Sequence, residues 1–372
     1  MVNLFEFVRT LTEGARIDHP EDLVFSEGSR GAQRAIDAFD AIPNDEKNIT
    51  VKWDGFPALV FGRNRDGQLV LADKHMFTKK DGSGRVTSPE AFVQYDVNRG
   101  ATRGDLYEKI KLLWPALEQV VPANSKGYYW GDLLWAGRLN PIRGEYVFKP
   151  NTVTYRVAAN SDLGKRIANS IGGIVVHQWF EDFDTAAQSL GGGIGDLSTQ
   201  GPVVILSPNL PDTPTLKTPV RLLDVARRQM KKYSGAIDAM LDPVELSANR
   251  IKDLPALMQQ YVNARVRGEQ RTFADWVPTK VSGAKARTLL GEDQDGYLYQ
   301  HAAGVQGIFA VFDALSQVKL AYIQQLDQQQ STIKASVNGA VGGEGYVFNT
   351  PAGMIKLVDR AGFSAANFAK NP

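Results

Sequence analysis

The stretch VKWDGFPALVFG, residues 51–62, puts a lysine at the end of an apolar strand, follows it with Trp-Asp-Gly and runs at once into a second apolar strand. An ammonium group is costly to bury alone. Lys52, between Val51 and Trp53, therefore either lays its stem along the surface with its charge in water or occupies a pocket in which it reacts. The surrounding sequence frames that choice. NITVKW, PALVFG, QLVLADKHMF, GYYWGDLLW, EYVFKPNTVTYRV and GGIVVHQWF all read as strands, with Asp66-Gly67 marking a hairpin turn. Helical spacing appears where Ala32, Ala35, Ile36, Phe39 and Ile42 share one face before Pro43, and again around LYEKIKLLW. The fold class expected is α+β with mainly antiparallel sheets.

From about residue 218 to 330 the apolar period becomes helical, in VRLLDVARRQMKKY, LPALMQQYVNARVRG and VQGIFAVFDALSQVKLAYIQQL. Strand-like EGYVFNT and MIKLVDR then return around a Pro-Ala-Gly turn. Strands this short need a sheet to join, so the expectation is one domain over 1–217 and 331–372 interrupted by a helical insertion over 218–330. The opening MVNLFEFVRTLTEGA carries Glu6 and Glu13 and no basic start, and reads as a helix and not as a signal peptide. LGGGIGDLSTQG, residues 190–201, matches neither a Walker loop nor a dinucleotide fingerprint and reads as a flexible surface connection.

Hydrophobic residues at 43% and charged residues at 22% are ordinary for a soluble globular chain, and no apolar run approaches the roughly 20 residues of a membrane helix. A cytoplasmic protein is expected, with no membrane partner. The 372 residues contain no cysteine, which excludes disulfides, thiolate nucleophiles and cysteine-ligated metals together. A net charge of +1 argues against coating nucleic acid through global charge, but the charge is unevenly placed. Between Lys217 and Arg287 there are 14 Lys plus Arg against 7 Asp plus Glu. Arg227, Arg228, Lys231, Lys232, Arg265, Arg267 and Lys285 are the candidate nucleic-acid contacts in this block. The competing reading is an ordinary solvated helix face.

Charged residues also interrupt or end the strand-like pieces: Lys52 and Asp54, Lys79 and Lys80, Asp132, Glu344 and Lys356. Singly, each reads as an exposed edge residue. Their order resembles the covalent nucleotidyltransferase superfamily of ATP-dependent DNA and RNA ligases and mRNA capping enzymes. VKWDG is similar to the first motif, Lys-x-Asp-Gly; FTKKDG to the short basic motif after it; YWGDLL to the third; IVVHQWF to the strand that offers a ring to the base; EGYVF to the fourth; and MIKLV to the start of the fifth. The resemblance covers about 48–180 and 340–360. It implies an adenylyltransferase (ATP-grasp-like ligase) domain with antiparallel sheets, ATP and Mg²⁺ (or Mn²⁺) as cofactors, and Lys52 as the nucleophile that becomes a lysyl-adenylate.

By the same resemblance, Lys356 neutralises charge on the α-phosphate, and Glu344 and Asp132 hold the metal and the ribose. Asp54 and Gly55 shape the nucleotide loop, and Lys79 and Lys80 reach phosphate or ribose. His177 stacks on adenine, with Trp179 or Phe180 in its place if the register differs. The sequence departs from the pattern at Pro57, where many DNA ligases carry arginine, at Asp132, where glutamate is usual, and at Leu357-Val358, where a second lysine is common and Arg360 or a residue of the insertion would substitute. The chain runs only to Pro372, so no C-terminal OB-fold is expected. That favours a monomeric RNA ligase of phage type acting on strand ends in the host cytoplasm. A DNA nick ligase gripping its substrate through the helical insertion, and a non-catalytic nucleic-acid-binding protein that keeps the fold, remain open.

Overall fold

The computed structural model describes residues 19–79, 81–190, 193–210, 213–329, 333–337, 339–350 and 353–362. The expected N-terminal helix, Lys80, Gly191 and Gly192 lie outside these. The chain divides into two compact units, each discontinuous in sequence. The first comprises 1–16, 50–212 and 330–344, and the second 17–49, 213–329 and 345–372. The expected helical segment 218–330 thus falls mostly in a unit that also gathers 17–49 and 345–372. The chain is α+β, as its periodicities imply.

The first unit contains strands β1 (Ala58–Arg63), β2 (Leu69–Asp73), β3 (Gly127–Ala136), β4 (Glu145–Phe148) and β5 (Thr154–Ala158). They are followed by β6 (Gly172–Phe180), β7 (Gln188–Ser189), β8 (Val203–Leu206), β9 (Ile333–Val337) and β10 (Ala340–Val341). One sheet has the order β2-β1-β3-β6-β7, all antiparallel, with β8 added parallel to β6. The other, β10-β9-β5-β4, is antiparallel throughout. The β1–β2 turn forms where the sequence places it: Asn64 Oδ1 accepts from the amides of Asp66 and Gln68, and Gly67 takes φ +75°.

The first sheet is covered by the helix Gly104–Val120, whose Ile110, Leu113 and Leu117 are fully buried in one cluster with Val60, Leu71, Tyr129 and Ile174. Each such aliphatic side chain contributes about 1.5–3 kcal/mol relative to exposure. The expected strand QLVLADKHMF ends early. The Asp73 carboxylate accepts from the Met76 amide at 2.8 Å, which caps a short helix, Lys74–Phe77, and turns the chain out of the sheet. Arg99 and Arg103 donate to Asp73 and to the fully buried Asp96, which joins this corner to the helix Pro89–Asn98.

The second unit is built on helices α1 (Leu23–Ala41), α2 (Val220–Met240), α3 (Leu254–Val266) and α4 (Ala302–Gln329), with a hairpin of Tyr346–Thr350 and Gly353–Leu357. α1 begins upstream of the face read from the sequence and is kinked at Gly28, φ +62°. α2 and α4 approach closely because Gly304 and Gly307 lie under them: a Cβ on Gly307 would stand 2.4 Å from that of Tyr233, and one on Gly304 2.6 Å from the Ala236 carbonyl oxygen. The strands that follow the helices part company, β9 and β10 joining the first unit and the 346–357 hairpin the second. Among the described residues no helix is long and apolar enough to cross a membrane.

Candidate functional site

The lysine loop lies against both sheets of the first unit. Val51 donates its amide to the Pro208 carbonyl at 2.6 Å, which fixes the chain as it enters. Trp53 is buried and packs on Tyr155 of β5 with ring centroids 4.9 Å apart; Tyr155 stacks on Phe148 of β4 at 5.4 Å, and Phe148 meets Trp135 of β3 at 4.8 Å. The loop leaves along β3, where the Phe56 amide donates to Leu133 O at 2.9 Å and the Leu133 amide to Pro57 O at 3.0 Å. Gly55 makes this approach possible. A Cβ there would stand 2.4 Å from Asp132 Cβ, closer than real side chains come, which accounts for Asp-Gly following the lysine.

Lys52 and Glu344 form a part-buried ion pair between Nζ and Oε1, across 292 positions of sequence. Burial pushes the Glu344 carboxyl above its ordinary value; Lys52 pulls it back in part, while Asp54 and Asp132 reinforce the rise. Asp54 is itself buried, and its carboxylate accepts from Asn151 Nδ2 at 2.8 Å, from Thr152 N at 2.5 Å and from Val153 N at 2.7 Å. Its amide donates to the Tyr155 hydroxyl at 2.8 Å, and burial drives the Tyr155 phenol well above its usual pKa. Both Asp54 oxygens are thus engaged with the β4–β5 connection, which makes it the anchor of the loop. Asn151, Thr152 and Tyr155 were not singled out from sequence. They lie about a hundred positions downstream, in a stretch that reads only as strand.

Asp132 and His177 come together by a slip in register. β3 and β6 pair as Trp130↔Gln178 but Gly131↔Val176, so His177 is the extra residue of a bulge. Bulges re-aim side chains beside functional sites. Here the ring Nε2 sits 2.9 Å from Asp132 Oδ2. Neither Trp179, whose Nε1 donates to Lys126 O, nor the buried Phe180, packed on Phe77, takes that place. The structure therefore brings Lys52, Asp54, Gly55, Asp132, His177 and Glu344 together in one unit.

Lys79 is exposed after the helix Lys74–Phe77, and Lys80 lies outside the described residues. Lys356 stands half-buried on the strand Gly353–Leu357 of the second unit. Arg360, weighed as a substitute for the missing lysine of the fifth motif, is partly buried and donates to Asp22. Of the basic candidates, Arg227 is committed to Asp40 at 2.5 Å and to Asp224, Arg265 to Asp313 at 3.2 Å, and Lys285 to Asp253. Arg228, Lys231 and Lys232 are exposed on α2 at positions i, i+3 and i+4, and Lys232 lies 4.6 Å from the Tyr233 ring centroid. Arg267 is exposed at the end of α3. The exposed basic positions of this block include a short stripe on α2, Arg228, Lys231 and Lys232.

A profile of one family, described as a family of unknown function (DUF6267), matches residues 15–371. The chain belongs to that family. No curated protein and no solved structure gives a significant match. The DUF6267 match spans both units, so the helical unit is part of what defines the family.

Among the described residues no group of three or more His, Asp or Glu is placed to hold a metal ion by itself. Mg²⁺ is commonly held by one or two carboxylates together with substrate phosphates. Glu344 meets Lys52 through Oε1, and Asp132 meets His177 through Oδ2. The second oxygen of each is a candidate donor to such a metal.

Proposed function

We propose that this chain is an ATP-dependent polynucleotide ligase of the RNA-ligase kind, joining a 5′-phosphate to a 3′-hydroxyl through an adenylate on Lys52. The observation that carries this reading is the pairing of Lys52 with Glu344, held beside Asp132 and His177 by a loop whose Asp54 is anchored by three donors. In the first step the neutral Lys52 amine attacks the α-phosphorus of ATP. A P–N bond forms, the α–β P–O bond breaks, and pyrophosphate leaves. Glu344, whose carboxyl is raised by burial, is the group beside Nζ suited to take its proton. In the second step an oxygen of the 5′-phosphate displaces Lys52 from the adenylate phosphorus; in the third a 3′-hydroxyl displaces AMP. His177 offers a flat ring to adenine, and the bulge sets its orientation. A Mg²⁺ or Mn²⁺ ion on Glu344 and Asp132 would supply charge neutralisation at the phosphates. The chain's own contribution is otherwise positioning and electrostatics, as phosphoryl-type transfer requires.

The test is incubation of the full chain, first stripped of AMP with pyrophosphate, with α-labelled ATP and Mg²⁺, followed by a denaturing gel and acid treatment. An acid-labile label that Lys52→Ala abolishes is expected; no label on the stripped wild type refutes the reading. Nicked RNA and nicked DNA offered to the labelled enzyme then decide the strand preference, with RNA expected to be sealed faster.

A further inference from the structure

Phe56 directly follows the Asp54-Gly55 of the lysine loop and stands 65% exposed. Among the described residues it is the one exposed phenylalanine or tryptophan. The other ring of the loop, Trp53, is buried against Tyr155. The main chain of Phe56 is nevertheless fixed. Its amide donates to Leu133 O at 2.9 Å and the Leu133 amide donates to Pro57 O at 3.0 Å, which clamps the residue on β3 immediately beyond Asp132. His177 reaches the same Asp132 from β6, the strand on the other flank of β3, with Nε2 2.9 Å from Oδ2. The side chains of Lys52, Asp132, His177 and Glu344 are between 14% and 28% exposed. A ligand small enough to enter among them meets those four, and the far more exposed Phe56 is left for a ligand that extends past them.

What extends past them follows from the order of the reaction, and the inference rests on the ligase reading of Lys52. Of the two strand ends, the 5′-phosphate reacts while the adenylate is still on the lysine. One of its oxygens bonds to the adenylate phosphorus, the P–N bond breaks, and Nζ recovers the proton that Glu344 took in the first step. The nucleotide carrying that phosphate must therefore be held relative to the lysine loop, whereas the 3′-hydroxyl attacks only after AMP has left Lys52. Phe56 lies four residues from Lys52 on that loop, a span of at most about 14 Å. Its ring is thus within reach of the nucleotide next to the reacting phosphate. Every base has a flat face that stacks on an aromatic side chain whatever the sequence. A protein partner seated on Phe56 would compete with the strand for the loop, whereas a base belongs to a ligand that the site has to admit. We propose that Phe56 is the platform on which the base of the 5′-phosphorylated terminal nucleotide stacks during AMP transfer.

The test takes the full chain labelled from α-labelled ATP, removes free ATP, and follows single-turnover transfer of AMP to a 5′-phosphorylated, 3′-blocked RNA. Phe56→Ala should raise the RNA concentration for half-maximal transfer about tenfold, the scale of one base stacked on a ring, and the KM for ATP in self-labelling by about twofold or less. Phe56→Trp should restore transfer, and Phe56→Leu, apolar but without a flat face, should not. An RNA whose terminal 5′-phosphorylated ribose lacks its base should be about tenfold weaker on the wild type and no weaker than intact RNA on Phe56→Ala, because ring and base act as one pair. The wild-type half of that comparison holds even if a variant does not fold. No label on the wild type would refute the ligase reading and this assignment with it. Normal labelling together with unchanged transfer by Phe56→Ala, rescue by leucine, indifference of the wild type to the missing base, or an equal rise in the KM for ATP would refute the assignment of Phe56 alone.

Discussion

Replacing Asp54 separates the mechanical part of the lysine loop from its charge. The carboxylate receives three hydrogen bonds, from Asn151 Nδ2 and from the amides of Thr152 and Val153, at a position only 6% exposed. Bonds to a charged acceptor contribute about 1.5–3 kcal/mol each. Some of that is regained when water reaches the freed donors, so Asp54→Ala should cost about 3–5 kcal/mol, the range for breaking a buried charged contact. Asp54→Asn keeps the shape. Its one oxygen can face the two backbone amides while its amide nitrogen faces a turned Asn151 side chain, and the loss reduces to charge assistance, about 1–2 kcal/mol. Urea unfolding followed by tryptophan fluorescence measures both, because Trp53, Trp114, Trp130, Trp135 and Trp179 belong to the first unit and only Trp276 to the second. Equal losses in the two variants, or a loss below about 1 kcal/mol for alanine, would refute the view that Asp54 works as an anchor.

Burial alone would raise the Asp96 carboxyl, but hydrogen bonds from Arg103 and Arg99 outweigh it and hold the group below its ordinary value. A depressed folded-state value gives stability that is full above the ordinary carboxylate range and lost as pH falls through the folded value. Wild type should therefore weaken steadily below about pH 4, and Asp96→Asn should be less stable at pH 7 with a shallower acid slope, as followed by thermal unfolding against pH. His177→Phe should keep the KM for ATP within a few-fold in self-labelling, whereas His177→Ala should raise it about tenfold, the scale of one base stacked on a ring. Reversing Arg228, Lys231 and Lys232 to glutamate should weaken single-stranded RNA binding and flatten its dependence on log salt by about 0.7 per lost phosphate contact, read by fluorescence anisotropy.

The strands and helices were legible wherever one period dominated. GYYWGDLLW and GGIVVHQWF became β3 and β6, and the long apolar stripes became α2, α3 and α4. QLVLADKHMF misled because its apolar content continues past Asp73, while a side-chain cap, which no periodicity records, ends the strand. The helix Pro89–Asn98 was not anticipated, although Ser88-Pro89 is a start signal, since its buried face is held largely by the charged Asp96. Motif order brought out Lys52, Asp132, His177 and Glu344. What sequence could not supply was the bulge that pairs His177 with Asp132, or the anchoring of Asp54 by Thr152 and Val153, since both depend on register between distant strands. Two ion pairs of the basic block were hidden in the same way, because Asp40 and Asp313, the partners of Arg227 and Arg265, lie outside the stretch 217–287.

The distance in sequence between Lys52 and Glu344 has a consequence for biosynthesis. A nascent chain that has emerged as far as Asp212 already holds β1 to β8, the anchored loop and the reactive amine, yet β9 and the carboxylate beside that amine come only after the whole 213–329 stretch has been made. Domains fold as they leave the ribosome, so for that interval the first unit exists with an open edge on β5 and a lysine whose counter-charge has not been translated. Order of synthesis therefore delays full assembly of the lysine site until the helices of 213–329 have been made.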